Sequence, residues 1–312
     1  MYKKYLLIAS LFALILFTAA CGNNSGEATT AEPEETITVT HELGETPVPL
    51  NPEKVVVFDY GTLDSLDQLG IEIAAVPQDS LPSYLAKYED ANYENAGGIK
   101  EPDFEKLSEI DPDLIIISGR QQESYEELSE LAPTIYSGID TTRYMESYKE
   151  NAEILGQIFG KEEEVEAELA EVEASIEELN EQITAEDKNG LVILTNDGGI
   201  NAYGPGSRFG IIHDEFGINP VDDTIEASTH GQNISFEYIS EKDPDYLFVV
   251  DRNAVVGGES SAEQALDNPL VQKTKAYQND NIIYLNPDYW YLSGGGLLSV
   301  SEMVKEMAEK VQ

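Results

Sequence analysis

The feature that most constrains this chain is a passage it carries twice. FEKLSEIDPDLIIISGR (104–120) and FEYISEKDPDYLFVVDR (236–252) align without gaps on Phe, Glu, Ser, Glu, Asp, Pro, Asp and a closing Arg. Each copy reads as a short helix, a stop at proline, and a strand too apolar to have a solvated face. In the first copy Asp103 stands where it can cap the helix. Strands buried on both faces belong to parallel sheets covered by helices. Two such units therefore imply two equivalent α/β lobes.

The same grammar recurs elsewhere. VVVFDYGTLDSLDQLG (55–70) reads as a buried strand, a turn at Gly61 and a helix repeating Leu63, Leu66 and Leu69; IEIAAVPQ then reads as a second strand. LVILTND (191–197) and NIIYLN (281–286) supply strands to the second half. A closing helix after Gly296 carries Leu297, Val300, Met303, Val304 and Met307. Between the halves lies KEEEVEAELAEVEASIEELNEQI (161–183), apolar at Val165, Leu169, Val172, Ile176, Leu179 and Ile183 and otherwise mostly Glu. That spacing predicts one continuous helix, roughly 35 Å long at about 1.5 Å per residue. A coiled-coil dimer is the alternative; three heptads isolated between two α/β halves favour a strut packed on both.

The expected fold class is thus α/β: two similar lobes with central, mainly parallel sheets joined by one long rigid helix. The expected organisation is a signal peptide over 1–20, a flexible tether over 21–36, an N-terminal lobe over 37–160, the interlobe helix over 161–186 and a C-terminal lobe over 187–312.

The first two of these segments rest on the N-terminus. MYKK is followed by an apolar stretch over residues 5–20, short for a bilayer span, and then by small residues and Cys21, the chain's single cysteine. Thr18-Ala19-Ala20-Cys21 resembles a lipoprotein signal, with Thr18 in place of the commoner Leu; a plain secretory signal is the alternative. On the first reading Cys21 is lipidated and CGNNSGEATTAEPEE begins the tether. One cysteine allows no intramolecular disulfide and no cysteine-rich metal site.

Charge narrows the partners. Against 18 Lys+Arg stand 60 Asp+Glu, a formal −42. Nucleic acid and anionic lipid both call for basic surfaces, so neither is an expected partner. The acidity itself fits a heavily solvated surface working in salty or alkaline surroundings. A hydrophobic fraction of 41% supplies an ordinary core.

In so acidic a chain the four arginines stand out: Arg120, Arg143, Arg208 and Arg252. Arg120 and Arg252 close the two repeated strands, and Arg208 lies in NAYGPGSRFG, beyond the strand LVILTND. Open parallel sheets bind ligands outside the carboxyl ends of their strands. All three are expected in one crevice between the lobes, where permanent, forked cations suit an anionic ligand with several oxygens. The bland alternative is surface arginines paired with abundant carboxylates. His230, in ASTHGQ, and the strand-end loop DYWYLSGGG (288–296) with Tyr289, Trp290 and Tyr291 are further candidates. Together with the arginines they suit a ferric complex, since hard Fe(III) accepts phenolate and imidazole. The sequence lacks GxSxG, P-loop, HExxH and GxGxxG signatures. His41, His213 and His230 are too few and scattered for a histidine-rich zinc or manganese site.

The lipoprotein signal, TPVPLNPEKVVVFDYGTLDSLDQLG, EPDFEKLSEIDPDLIIISGR, the interlobe helix, ASTHGQ and WYLSGGG together resemble the iron-siderophore-binding lipoproteins of ABC importers, especially the petrobactin-type catecholate receptors of Gram-positive bacteria. The resemblance runs from about residue 36 to the end. It implies two lobes bridged by a helix, no catalytic activity and no intrinsic cofactor. The implied ligand is a ferric catecholate or mixed catecholate–citrate siderophore, clamped by Arg120, Arg208 and Arg252. His230 and Tyr291 would complete the iron shell, with Tyr289 as the competitor and Trp290 beside them. Glu105 and Glu237, equivalent in the two repeats, would dock onto the permease that works with its ATPase. The implied setting is a lipid-anchored monomer on the extracellular face of the cytoplasmic membrane. A haem or corrinoid receptor of the same fold remains an alternative, as does, in another class, a secreted α/β enzyme or cell-wall interaction protein.

Overall fold

The computed structural model describes residues 35–311; the signal segment, Cys21 and nearly all of the expected tether lie outside the described residues. Thr36, counted with that tether, is already the first residue of a strand: Thr36–His41 pairs antiparallel with Gly44–Pro49. The Thr46 hydroxyl of this hairpin donates to the Thr134 carbonyl at 2.9 Å and ties it to the sheet edge.

The N-terminal sheet runs in the order Glu94–Asn95, Ala75–Val76, Val55–Val57, Leu114–Ile117 and Thr134–Tyr136. Every pairing in it is parallel. The C-terminal sheet runs in the order Gln232–Ile234, Gly199–Tyr203, Asn189–Asn196, Tyr246–Asp251 and Ile282–Leu285. Its last three strands are parallel, and Gly199–Tyr203 runs antiparallel to both of its neighbours. It leaves Asn189–Asn196 through a hairpin in which Asp197 (φ 45°) and Gly198 (φ 82°) bridge Asn196 to Gly199. A two-residue turn with both φ positive matches the twist of the flanking strands, and Asp-Gly is its usual sequence.

The repeated passages fold alike. Asp103 caps the helix Phe104–Ile110 by accepting from the Lys106 N–H, and Ser235 caps Phe236–Lys242 by accepting from the Tyr238 N–H. The first Asp of each DPD, Asp111 or Asp243, ends its helix in the left-handed region. The second accepts from the backbone of a neighbouring segment: Asp113 from Glu53 N–H (3.0 Å) and Lys54 N–H (2.8 Å), Asp245 from Asn189 N–H (3.1 Å).

The interlobe helix spans Glu162–Thr184 and buries the six positions picked out by spacing. They share one core cluster with Tyr144, Tyr148 and Ala152 of the helix Tyr144–Phe159 and with Val300, Met303 and Met307 of the helix Leu297–Lys310. The helix is therefore packed on both halves. At about 1.5–3 kcal/mol per fully buried large aliphatic side chain, this stripe is a principal tie between them.

Gly61 does not make the expected turn; it lies in the first turn of the helix Tyr60–Gln68, which Asp59 caps. A Cβ there would meet the Ser293 carbonyl at 2.9 Å, and one on Gly296 would meet the Gly61 carbonyl at 2.4 Å. The two glycines let the N-terminal lobe and the C-terminal segment touch backbone to backbone.

Candidate functional site

Three of the four arginines converge on one residue. Arg120 Nη2 donates to the Tyr291 carbonyl at 3.1 Å, and Arg208 Nη2 donates to the same oxygen at 2.6 Å. Arg252 Nε donates to the Tyr291 hydroxyl at 3.0 Å, and its Nη1 donates to Asn196 Oδ1 at 2.9 Å. The Arg208 guanidinium also lies over the Tyr291 ring, 4.3 Å from its centre. Arg120 follows the N-terminal strand Leu114–Ile117; Arg208 and Arg252 follow the C-terminal strands Gly199–Tyr203 and Tyr246–Asp251. Both lobes thus contribute: Arg120 and Arg252 come from the carboxyl ends of parallel strands, where open sheets bind ligands, whereas Arg208 follows a strand that runs antiparallel to its neighbours and reaches the cluster through the loop beyond it. Arg143, the fourth, pairs on the surface with Asp140, Glu146 and Glu150.

So much like charge has electrostatic consequences. Burial, then the nearby Arg120 charge, lowers the Arg208 pKa. Burial alone would raise the Tyr291 pKa, but the Arg208, Arg252 and Arg120 charges and the Arg252 hydrogen bond outweigh it, so the net shift is downward. The phenol is brought closer to phenolate, the form that a hard trivalent ion accepts.

Residues 288–292 make a single wide helical turn whose successive side chains point in different directions. Tyr291 faces the arginines. Tyr289 stacks obliquely on Tyr84, ring centres 4.9 Å apart, and its pKa is raised by burial and by Glu302 and other carboxylates. Trp290 does not line the site as expected: it is 3% exposed in the core, edge-on to Phe216, and its indole N–H donates to Glu306 Oε2 at 2.8 Å. Three consecutive aromatics on one turn cannot share a face.

His230 is exposed, and its carbonyl accepts from Asn201 Nδ2 and the Tyr203 hydroxyl, each at 3.1 Å. Its loop runs beside the cleft, since the Arg208 N–H donates to the Ser228 carbonyl at 3.4 Å. Glu105 and Glu237 occupy the exposed first turns of the two repeated helices. Two contributors escaped the sequence reading. Asn196, which holds Arg252, ends a strand and was open to the same strand-end argument as the arginines. Tyr144 brings a buried hydroxyl without a hydrogen-bond partner among the described residues, and its phenol lies close enough to feel the Arg208 charge.

A two-lobed frame with a cationic cluster between the lobes has the architecture of a substrate-binding protein. The chain belongs to the periplasmic binding protein family, whose model matches residues 55–289. It is 50% identical over 99% of both chains to the petrobactin-binding protein YclQ of Bacillus subtilis (strain 168). It is 31% identical to the ferric-anguibactin-binding protein FatB of Vibrio anguillarum, over 98% of this chain and 97% of that one. The crystal structure of YclQ superposes with a TM-score of 0.88 at 52% identity, covering 89% of this chain and 99% of that chain. The siderophore-binding protein BauB, solved with two acinetobactin molecules and ferric iron, gives 0.82 at 33% identity, covering 89% and 99%. The family and these relatives are substrate-binding proteins rather than enzymes.

Proposed function

We propose that this chain is the receptor of an ABC iron importer and that it captures an anionic ferric catecholate or mixed catecholate–citrate siderophore of the petrobactin type. Arg120, Arg208 and Arg252 supply attraction and oxygen contacts in a partly desolvated cleft, where a charge acts more strongly than in water. Tyr291, and His230 from the loop beside Arg208, complete the iron shell when the siderophore leaves positions open. Lipid on Cys21 holds the protein, a monomer, on the outer face of the cytoplasmic membrane. Glu105 and Glu237 present one carboxylate from each lobe to a permease driven by its ATPase. The ferric complex is cargo, not a resident cofactor.

The observation that carries this reading is the convergence of three arginines from two lobes on one tyrosine in a chain of charge −42. Its ligand class agrees with that of the petrobactin-binding relative that is half identical. The test is a fluorescence titration of the purified protein with ferric petrobactin, a ferric tris-catecholate, a ferric hydroxamate and hemin. Saturable quenching by the catecholates alone is expected. Tight binding of hydroxamate or hemin in their place discards the ligand class, and silence from all four discards the receptor.

A further inference from the structure

The C-terminal helix Leu297–Lys310 starts at Gly296, which has no side chain to cap it. Its cap comes from the other lobe. Asp64, in the helix Tyr60–Gln68, accepts from the Leu298 N–H at 2.9 Å through Oδ1 and from the Ser299 N–H at 2.8 Å through Oδ2, while Ser65 Oγ accepts from the Leu297 N–H at 3.0 Å. The Tyr84 hydroxyl lies 2.9 Å from Asp64 Oδ2 and 2.7 Å from Ser293 Oγ; Ser293 Oγ in turn donates to the Asp288 carbonyl at 2.6 Å. Ser83 hydrogen-bonds the Asp288 carboxylate. The turn bearing Tyr291 is therefore gripped at both ends by the N-terminal lobe, although its strand belongs to the C-terminal one. Nothing in the arginine contacts requires this. A carboxylate 1% exposed, placed on a helix N-terminus across a lobe boundary, calls for a role.

We propose that Asp64 is a positioning residue of the binding site, fixing the Tyr291 turn against the three arginines and so setting the protein's preference for ferric complexes that leave iron positions open. This rests on the receptor reading above, in which the arginines attract any anionic ferric catecholate while Tyr291 serves only the unsaturated ones. Asp64 touches no ligand; it acts through Tyr84, Ser293 and the first turn of the C-terminal helix.

The cluster also responds to protons. Burial pushes the Asp64 carboxyl up to about 6, its backbone, Ser299 and Tyr84 hydrogen bonds notwithstanding. The titratable groups felt around it are the phenols of Tyr84, Tyr144, Tyr148 and Tyr289. Tyr84 has one proton to give. With Asp64 ionised, that proton goes to the carboxylate, and Ser293 Oγ must turn its own toward Tyr84 and away from the Asp288 carbonyl. With Asp64 protonated, the chain of hydroxyls runs the other way and closes on Asp288, at the root of the Tyr291 turn.

The experiment compares affinities for a synthetic ferric bis-catecholate, which leaves iron positions open, and a ferric tris-catecholate, which leaves none. Asp64→Asn should weaken the bis-catecholate about tenfold, the scale of lost outer-shell support around a metal ligand, and leave the tris-catecholate unchanged. In the native protein the preference for the open complex should step as the pH passes about 6. The variant should show no step. Equal loss for both probes, or for neither, overturns the proposal. Should Asp64→Asn fail to fold, Tyr84→Phe keeps both backbone caps and must still erode the preference; if it does not, the proposal falls. Arg208→Ala, run alongside, should weaken both probes. If it weakens neither, the receptor reading has failed, and the Asp64 proposal with it.

Discussion

At the end of the first repeated helix, Lys106 pairs with Glu109 in open solvent and Ile110 stands at the last position. At the corresponding positions of the second, Tyr238 and Lys242 both reach Asp222: the Tyr238 hydroxyl donates at 2.6 Å and Lys242 Nζ lies 2.6 Å away. Beyond the strands the copies part further. Arg120 sits on a loop three residues past Ile117 and meets a main-chain carbonyl, whereas Arg252 follows Asp251 directly and meets a phenol and an amide. The Asp251 carboxylate, which replaces a glycine of the first copy, accepts from Ala254 and Ala262 N–H groups and folds the following loop back. The DPD junctions do the same job in both copies, because each must end a helix and start a buried strand. Divergence begins where those constraints stop, and that is where the cleft is built.

If both strand ends serve the same ligand, removing either arginine should weaken binding. Replacing a charged hydrogen-bond donor costs about 1.5–3 kcal/mol. Arg208→Ala should fall at the upper end, since it loses both a 2.6 Å contact and the ring it covers. Arg120→Ala and Arg252→Ala should fall lower and close to each other. Isothermal titration with ferric petrobactin decides: a loss from one strand end only would break the equivalence, and no loss from any of the three would remove the site.

The Asp222 anchor predicts a pH dependence confined to the second copy. Lys242, then Thr224 and Tyr238, hold the Asp222 carboxyl well below the usual carboxylate range. A carboxyl with a depressed folded pKa contributes stability that is complete above its unfolded value, about 4, and is lost as the pH falls below it. Asp222→Asn should therefore cost about 1–2 kcal/mol in urea unfolding at neutral pH, with the gap closing on acidification. Lys106→Ala in the first copy should cost less than about 0.5 kcal/mol at any pH, because its ion pair is exposed. A constant gap for Asp222→Asn would mean the anchor is steric rather than ionic.

These contrasts also mark how far the sequence could be read. Periodicity located all six buried positions of the interlobe helix, because a single apolar stripe has one way to face a core. The strand-end rule located Arg120 and Arg252, because parallel topology sends those ends to the crevice; Arg208 follows an antiparallel strand, and the loop after it, not the rule, brings it there. Trp290 was misassigned because a loop with three aromatics looks ligand-facing until the turn is known, and turn geometry is not periodic. The antiparallel strand of the second sheet does have a local signal, the Asp197-Gly198 pair, because that dipeptide suits a two-residue hairpin turn. Asp64 left no signal: an aspartate within a helix is ordinarily solvated, and only the tertiary approach of Gly61 to Gly296 buries it.

The smallest effect expected is kinetic, and it sets the arginine cleft against the rest of the surface. A net charge of −42 repels an anionic ferric complex at long range, while three arginines attract it over a few ångströms. Added salt shrinks the screening length to about 8–10 Å, which removes the distant repulsion more than the local attraction. The association rate should therefore rise, roughly two- to threefold, between low and physiological ionic strength. Stopped-flow quenching measures it directly. Arg120→Ala and Arg252→Ala should each steepen the rise, because each leaves the acidic surface less opposed. If one steepens it and the other does not, a single strand end governs the approach. A rate that falls with salt in the native protein would mean that the cleft's field already dominates beyond the screening length, and that the acidic surface is electrostatically remote from the ligand's path.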